Sequence, residues 1–163
     1  MNKNKILFSA IILLALFGLT WFSKPAPSET GATSSGGALA AIETYYDFGE
    51  ISMKDGNVEK MFRIENRTNE DITLERVTTS CMCTRAFIEG GPENKGPFGM
   101  PGHSGIVPKA SELIKAGEFR DIRVIFDPNA HGPAGIGLIE RVVYLEESSG
   151  ARTELEFRAV VKP

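Results

Sequence analysis

Several short stretches of this 163-residue chain are apolar at every second position, and this alternation is the feature that most restricts its fold. Successive side chains of a β-strand point to opposite faces, so the pattern predicts strands with one buried face. Residues 58–65, 119–126 and 153–161 all show it. In the last stretch, four apolar side chains share the predicted inner face: Leu155, Phe157, Ala159 and Val161. No long segment has the spacing typical of an amphipathic helix.

Further strands are predicted at residues 41–46, 71–79, 81–88 and 137–145, with polar turns between them. The apolar phase slips by one residue between Leu74 and Val77, which predicts a bulge or a strand end there. Residues 109–116 predict a short helical turn. The expected fold is all-β, an immunoglobulin-like antiparallel β-sandwich of about seven strands. One N-terminal transmembrane helix and a flexible linker are expected to precede it.

The N-terminal segment has the composition of a membrane signal. Residues 6–22 carry no charge, and as a helix they would span about 25 Å at about 1.5 Å per residue. Trp21 lies where a signal peptidase prefers small residues, which favours an anchor at residues 6–23 over a cleavable signal peptide. More lysines precede the run than follow it closely. Residues 1–5 are therefore predicted to be a cytoplasmic tip, with the domain on the extracytoplasmic side of the membrane.

The rest of the chain divides by composition into a linker and one domain. Residues 24–38 are rich in Pro, Ser, Thr and Gly without an apolar period, which is typical of a flexible tether. Residues 39–163 are predicted to form a single domain, because that length can bury a working core.

Five short motifs follow one another through this domain: Asp47-Phe48-Gly49, a strand ending at Asn66, Ser80-Cys81-Met82-Cys83-Thr84, Gly117-Glu118 and Phe126-Asp127. In this order the chain resembles a bacterial immunoglobulin-like family of domains of unknown function with a Ser-Cys-Gly-Cys-Thr signature. That family is similar to the domains of the major-sperm-protein and ASH type. The resemblance covers roughly residues 42–161.

The resemblance implies a secreted or membrane-anchored β-sandwich and no particular reaction. Related immunoglobulin-like domains mostly bind proteins, so by analogy a protein partner is expected. The chain departs from the family pattern in two places. Met82 replaces the usual Gly, and the connection at residues 89–108 is longer than usual.

The two cysteines, Cys81 and Cys83, are the only ones in the chain. In a regular strand they would point to the same face, with Met82 on the opposite one, and their Cα atoms would lie about 6.6 Å apart. A disulfide at that distance is strained unless a bulge draws the pair together. Two thiolates on one face also suit a soft ion such as Cu(I). The alternative interpretation is a pair of small buried hydrophobic side chains or a local disulfide.

A long Gly- and Pro-rich loop at residues 90–108 follows the cysteines and carries Met100 and His103. If it folds back over them, Cys81, Cys83, Met100 and His103 form a donor set suited to copper. The structural alternatives are a loop methionine packed on the sandwich and a solvent-exposed histidine. His131 is interpreted as a turn residue.

Charge and motifs narrow the function. The formal net charge of −3 gives no electrostatic footprint for nucleic acid. No nucleophile elbow, phosphate loop or helix-borne C-x-x-C is present, so the chain is not expected to be an enzyme. The first hypothesis is a membrane-tethered domain with an interaction or envelope-scaffolding role. A copper-binding module is the first alternative, and a thiol redox protein is the second.

Overall fold

The computed structural model describes residues 37–102 and 108–163, and these fold into a two-sheet β-sandwich without an α-helix. The predicted all-β sandwich is confirmed, but the described residues form ten strands rather than about seven. Single-turn 3-10 helices occupy Met53–Asp55 and Gly132–Gly135. The strands are β1 Leu39–Ala41, β2 Tyr45–Ser52, β3 Val58–Asn66, β4 Ile72–Thr79, β5 Thr84–Glu89, β6 Lys95–Phe98, β7 Glu112–Ile114, β8 Phe119–Phe126, β9 Gly137–Glu147 and β10 Arg152–Lys162.

Among the described residues, each sheet has five strands. The first sheet has the order β1-β3-β8-β5-β6, and the second has the order β2-β10-β9-β4-β7. All neighbours pair antiparallel except β2 and β10, which run parallel. Consecutive strands β4 and β5 belong to different sheets, so the chain crosses the sandwich between them.

The core lies between the sheets and follows the alternation of the sequence. Leu155, Phe157, Ala159 and Val161 of β10 are all buried, as are Phe62 and Ile64 of β3. The predicted bulge is also confirmed, because the pairing of β4 with β9 shifts register between Leu74 and Arg76. That shift lets both Leu74 and Val77 face the core although they are an odd number of residues apart.

The prediction of one strand at residues 41–46 is wrong, because the chain changes sheets within it. The Ile42 N–H still bonds the Arg63 carbonyl beside β3, at 3.0 Å. The Thr44 carbonyl already accepts from Glu156 of β10, at 2.7 Å. One stretch thus contributes to two sheets, and the Asp47-Phe48-Gly49 motif lies inside β2 rather than at a strand end.

The prediction of a helical turn at residues 109–116 is also wrong. The chain there forms β7, which pairs with β4 at the edge of the second sheet. Glu112 occupies one of the inward-facing positions of β7. It is buried, and its carboxylate forms ion pairs with Lys95 and Arg120 at 2.7 Å each. A charged residue at an inward position hides the period-2 pattern. The long loop likewise contains a strand, β6, paired with β5.

No helix among the described residues is long and apolar enough to span a membrane. The predicted anchor at residues 6–23 and the basic tip at residues 1–5 lie outside the described part of the chain, as does nearly all of the linker.

Candidate functional site

The two cysteines lie in a tight turn at residues 80–83, which carries the chain from β4 to β5. The Thr84 N–H donates to the Cys81 carbonyl at 3.1 Å, and the Thr79 hydroxyl donates to the same carbonyl at 2.9 Å. The predicted strand at residues 81–88 is therefore wrong at its start, since β5 begins at Thr84. A straight strand cannot change sheets, so the crossover requires a turn here.

This turn brings the two thiols together. The Sγ atoms of Cys81 and Cys83 lie 2.6 Å apart, and both residues are free cysteines. Cys83 is 2% exposed, whereas Cys81 is only partly buried. Met82 points away from the core, with 52% of its surface exposed. The two sulfurs thus share one side of the turn, although it is not a strand.

His131 reaches the thiols from the segment that follows β8. The Asp127 N–H donates to the Cys83 carbonyl at 2.9 Å, and the Asp127 carboxylate accepts the Asn129 N–H at 2.8 Å. These bonds hold the chain against the cysteine turn. The Nε2 atom of His131 lies 3.1 Å from the Sγ of Cys81. The ligand atoms of Cys81, Cys83 and His131 all lie within 4.8 Å of one another.

Arg141 of β9 completes the surroundings of the thiols. Its Nε donates to the Sγ of Cys83 at 3.2 Å, and its Nη1 donates to the Glu140 carbonyl at 2.7 Å. Burial lowers the pKa of Arg141, but the bond to Cys83 and the charge of the two cysteines raise it overall. A guanidinium thus lies against the buried sulfur.

These contacts separate the acidities of the two thiols. Partial burial raises the pKa of Cys81, but bonds from Cys83 and His131 and the charge of Arg141 outweigh it and lower the pKa to about 7. Burial raises the pKa of Cys83, and its bond to Cys81 raises it further. Cys81 is therefore the more acidic thiol of this closely spaced pair.

Cys81 lies on the wall of an open groove of about 600 Å³. Exposed apolar side chains continue this wall, with Ile136 45% and Leu138 64% exposed. The groove is lined by Ser80, Cys81, His131, Ala134, Gly135, Ile136, Leu138, Ile139, Glu140 and Arg141.

The first half of β9 forms one side of this groove and is paired on one side only. Its ladder with β4 ends at the pair of Val143 and Thr79. Beyond that pair, the Ser80 N–H donates to the Val142 carbonyl, and the Val142 N–H donates to the Ser80 hydroxyl, at 2.9 Å each. Leu138 and Glu140 direct their N–H groups to the same side as Val142, by the alternation of an antiparallel ladder. Within the described residues, no strand pairs with them there.

Of the residues predicted to bind metal, the structure brings Cys81 and Cys83 together. Met100 follows Gly99, whose carbonyl accepts the Thr79 N–H at 3.2 Å, and its side chain is partly exposed. His103 lies outside the described residues. A site containing all four residues stays a prediction.

Sequence reasoning missed His131 and Arg141, because their positions depend on strand pairing. Phe126 pairs with Thr84, so the residues after Phe126 lie beside the residues before Thr84. Val143 pairs with Thr79, which brings the residues before Val143 close to the cysteine turn. The nearness of His131 to the Phe126-Asp127 motif was the one signal available in the sequence.

Residues 39–99 match the family described as "Protein of unknown function (DUF1573)". This segment is less than half of the chain and includes both cysteines. The match and the two-sheet fold support an immunoglobulin-like family of unknown function. No curated protein matches the chain.

Solved structures show a similar fold. A protein of unknown function from Porphyromonas gingivalis W83 is 16% identical, with a TM-score of 0.54 over 82% of this chain and 51% of its own. A family 123 glycoside hydrolase from Clostridium perfringens is 6% identical, with a TM-score of 0.50 over 72% of this chain and 22% of its own. The ASH / PapD-like domain of human CEP192 is 12% identical, with a TM-score of 0.42 over 84% of this chain and 90% of its own. The chain spans about half or less of the first solved chains that it matches. At these identities the likeness concerns the fold alone.

Proposed function

We propose that this chain is a non-enzymatic interaction domain, held by residues 6–23 on the extracytoplasmic side of the cytoplasmic membrane. It binds an extended segment of a partner protein, which adds to the open side of β9. The observation that carries the proposal is the pair of backbone N–H groups of Leu138 and Glu140, which no strand of the described residues pairs with, beside an apolar groove. An immunoglobulin-like sandwich of unknown function is consistent with such a role.

The backbone supplies the affinity in this mode of binding. An exposed strand edge presents N–H and C=O groups that a second extended chain can satisfy. In β9 the edge is opened by the crossover at residues 80–83, which takes the chain away from β9 after Ser80. The partner would therefore continue the ladder that β4 begins, from Val142 back toward Leu138.

Side chains around the edge indicate what the partner presents. Ile136 and Leu138 are apolar and exposed, so they favour a segment with apolar side chains at alternate positions. Glu140 and Arg141 add one charge of each sign, which favours a segment of low net charge. The partner class is thus an extended, mainly apolar segment of a protein on the same side of the membrane.

A photo-crosslinking experiment in the native cells tests the proposal. A photoreactive amino acid replaces Leu138, in otherwise unchanged full-length chain and in a chain with Glu140→Pro. Proline removes the N–H on the open side of β9 and leaves the bonds to β10 in place. The expected result is a discrete adduct that Glu140→Pro abolishes and that Glu140→Ala retains.

The same photoreactive residue at Leu113 is the matched control, since Leu113 is similarly exposed on another strand, β7. An adduct formed equally from Leu113, or one that survives Glu140→Pro, would contradict strand addition at β9. Circular dichroism of each variant verifies that the sandwich is intact.

A further inference from the structure

We infer that Cys81, Cys83 and His131 form a binding site for a soft monovalent metal ion, Cu(I). Two sulfurs and one imidazole nitrogen already lie within 4.8 Å of one another. Thiolate and imidazole are the donors that suit copper, whereas calcium and magnesium prefer oxygen. The ligand set differs from the one expected from the sequence, because its histidine is His131, which follows β8, and not His103.

Small side-chain rotations convert this cluster into a coordination shell. Sulfurs bound to one ion at about 2.3 Å lie about 3.8 Å apart at the tetrahedral angle. The observed separation of 2.6 Å must therefore widen by roughly 1 Å, which rotation about χ1 of Cys81 can supply because this residue is only partly buried. His131 is exposed and can follow. The groove leaves one side of the site open for a further ligand.

The charges of the two thiolates and of Arg141 favour a monovalent over a divalent ion. Two thiolates contribute −2, and the guanidinium of Arg141 at 3.2 Å from Cys83 contributes +1. Cu(I) brings this group to neutrality, whereas Zn(II) leaves a net positive charge beside a sulfur that is 2% exposed. Uncompensated charge is costly beside the buried sulfur of Cys83, so the site favours Cu(I) over Zn(II).

Anaerobic titration of the reduced full-length chain in detergent with Cu(I), against a chromogenic Cu(I) chelator, tests the inference. One equivalent of Cu(I) is expected to bind in competition with the chelator. X-ray absorption at the copper edge is expected to show two sulfur ligands and one nitrogen ligand. Replacing both cysteines by serine should abolish this binding. His131→Ala, at an exposed position, should weaken it by about tenfold or more, since even ligand-orienting partners commonly contribute about 10- to 100-fold.

His103→Ala is the matched control and should leave the affinity unchanged. Wild-type binding no tighter than that of the double serine variant would overturn the inference. An effect of His103→Ala with none of His131→Ala would also overturn it, in favour of the loop ligands. A third contradictory result is a pair of cysteines that stays oxidised to a disulfide in the chain isolated without reductant and resists mild reduction.

Arg141→Gln tests the charge argument with the same assay. Removing the guanidinium should raise the affinity for Zn(II) relative to Cu(I) by about tenfold or more, because the second charge of Zn(II) is then no longer repelled by a cation about 4 Å away. An unchanged ratio would show that Arg141 does not set the preference for a monovalent ion.

Discussion

At the scale of single residues, two chemically identical side chains one position apart have different environments. Cys83 is enclosed by the sandwich and accepts a bond from Arg141. Cys81 faces the groove and contacts His131. The difference arises from the turn, which points one sulfur toward the core and leaves the other partly in solvent. Position in the sequence alone does not reveal it.

We expect N-ethylmaleimide to modify Cys81 before Cys83 in the reduced, metal-free chain. Cys81 is the more exposed thiol, and its lower pKa acts in the same direction. Mass spectrometry of peptides after timed quenching measures the order. In urea the two rates should converge, because unfolding removes the difference in burial. Equal rates in the folded chain would contradict the arrangement of the turn.

At the scale of elements, the short strands β6 and β7 are held by a buried ion pair rather than by apolar contacts alone. Glu112 of β7 bonds Lys95 of β6 and Arg120 of β8, and its side chain is almost wholly buried. Arg120 also donates to the Leu113 carbonyl at 2.9 Å. One carboxylate therefore connects strands of both sheets.

Glu112→Gln is expected to destabilise the domain by about 3–5 kcal/mol, because it removes the buried carboxylate beside the Arg120 guanidinium and leaves only the half-exposed Glu118 as its ion-pair partner. Urea unfolding at neutral pH measures this. Glu118→Gln is the control, since Glu118 bonds the same arginine at 3.1 Å from a half-exposed position and should cost about 1 kcal/mol or less. Equal effects of the two substitutions would contradict the role of burial.

The contribution of Glu112 should also depend on pH. Burial raises the pKa of Glu112, but Lys95 and Arg120 outweigh burial and hold it below its ordinary value of 4.5. A depressed folded-state pKa stabilises the fold above the unfolded-state value, and this stabilisation is lost as pH falls through the folded-state pKa. The difference in unfolding free energy between wild type and Glu112→Gln should therefore be full at neutral pH and shrink in acid. A difference in unfolding free energy that does not change with pH would contradict a lowered pKa of Glu112 in the folded state.

At the scale of the whole molecule, strands with alternating apolar residues could be predicted from the sequence. Contacts that depend on which strands pair could not. The strands with strict alternation, such as β3 and β10, were predicted because burial on one face imposes a period of two. β7 was missed because the charged Glu112 occupies an inward position. His131 and Arg141 were missed because strand pairing, and not sequence distance, brings them to the cysteines.

The proposed tether makes a prediction for the full-length chain. It should remain in the membrane fraction after alkaline carbonate washing, because residues 6–23 are apolar enough to be embedded. Deleting residues 6–23 should abolish this association. Protease added from the extracytoplasmic side should degrade the domain. A chain found only in the soluble fraction, with its N-terminus beyond residue 22, would instead indicate a cleaved signal peptide.

The crossover turn at residues 80–83 limits where this domain can accept inserted residues. The turn leaves the β4 side of β9 without a partner strand from Val142 toward Leu138, within the described residues, and it also sets the separation of the two sulfurs. Surface connections usually accept insertions at little cost. At residues 80–83 we expect insertions to be costly, since an added residue would disrupt the turn that holds Cys81 beside Cys83. Loop grafts and sequence-length variation should therefore be tolerated at residues 148–150 and excluded at residues 80–83.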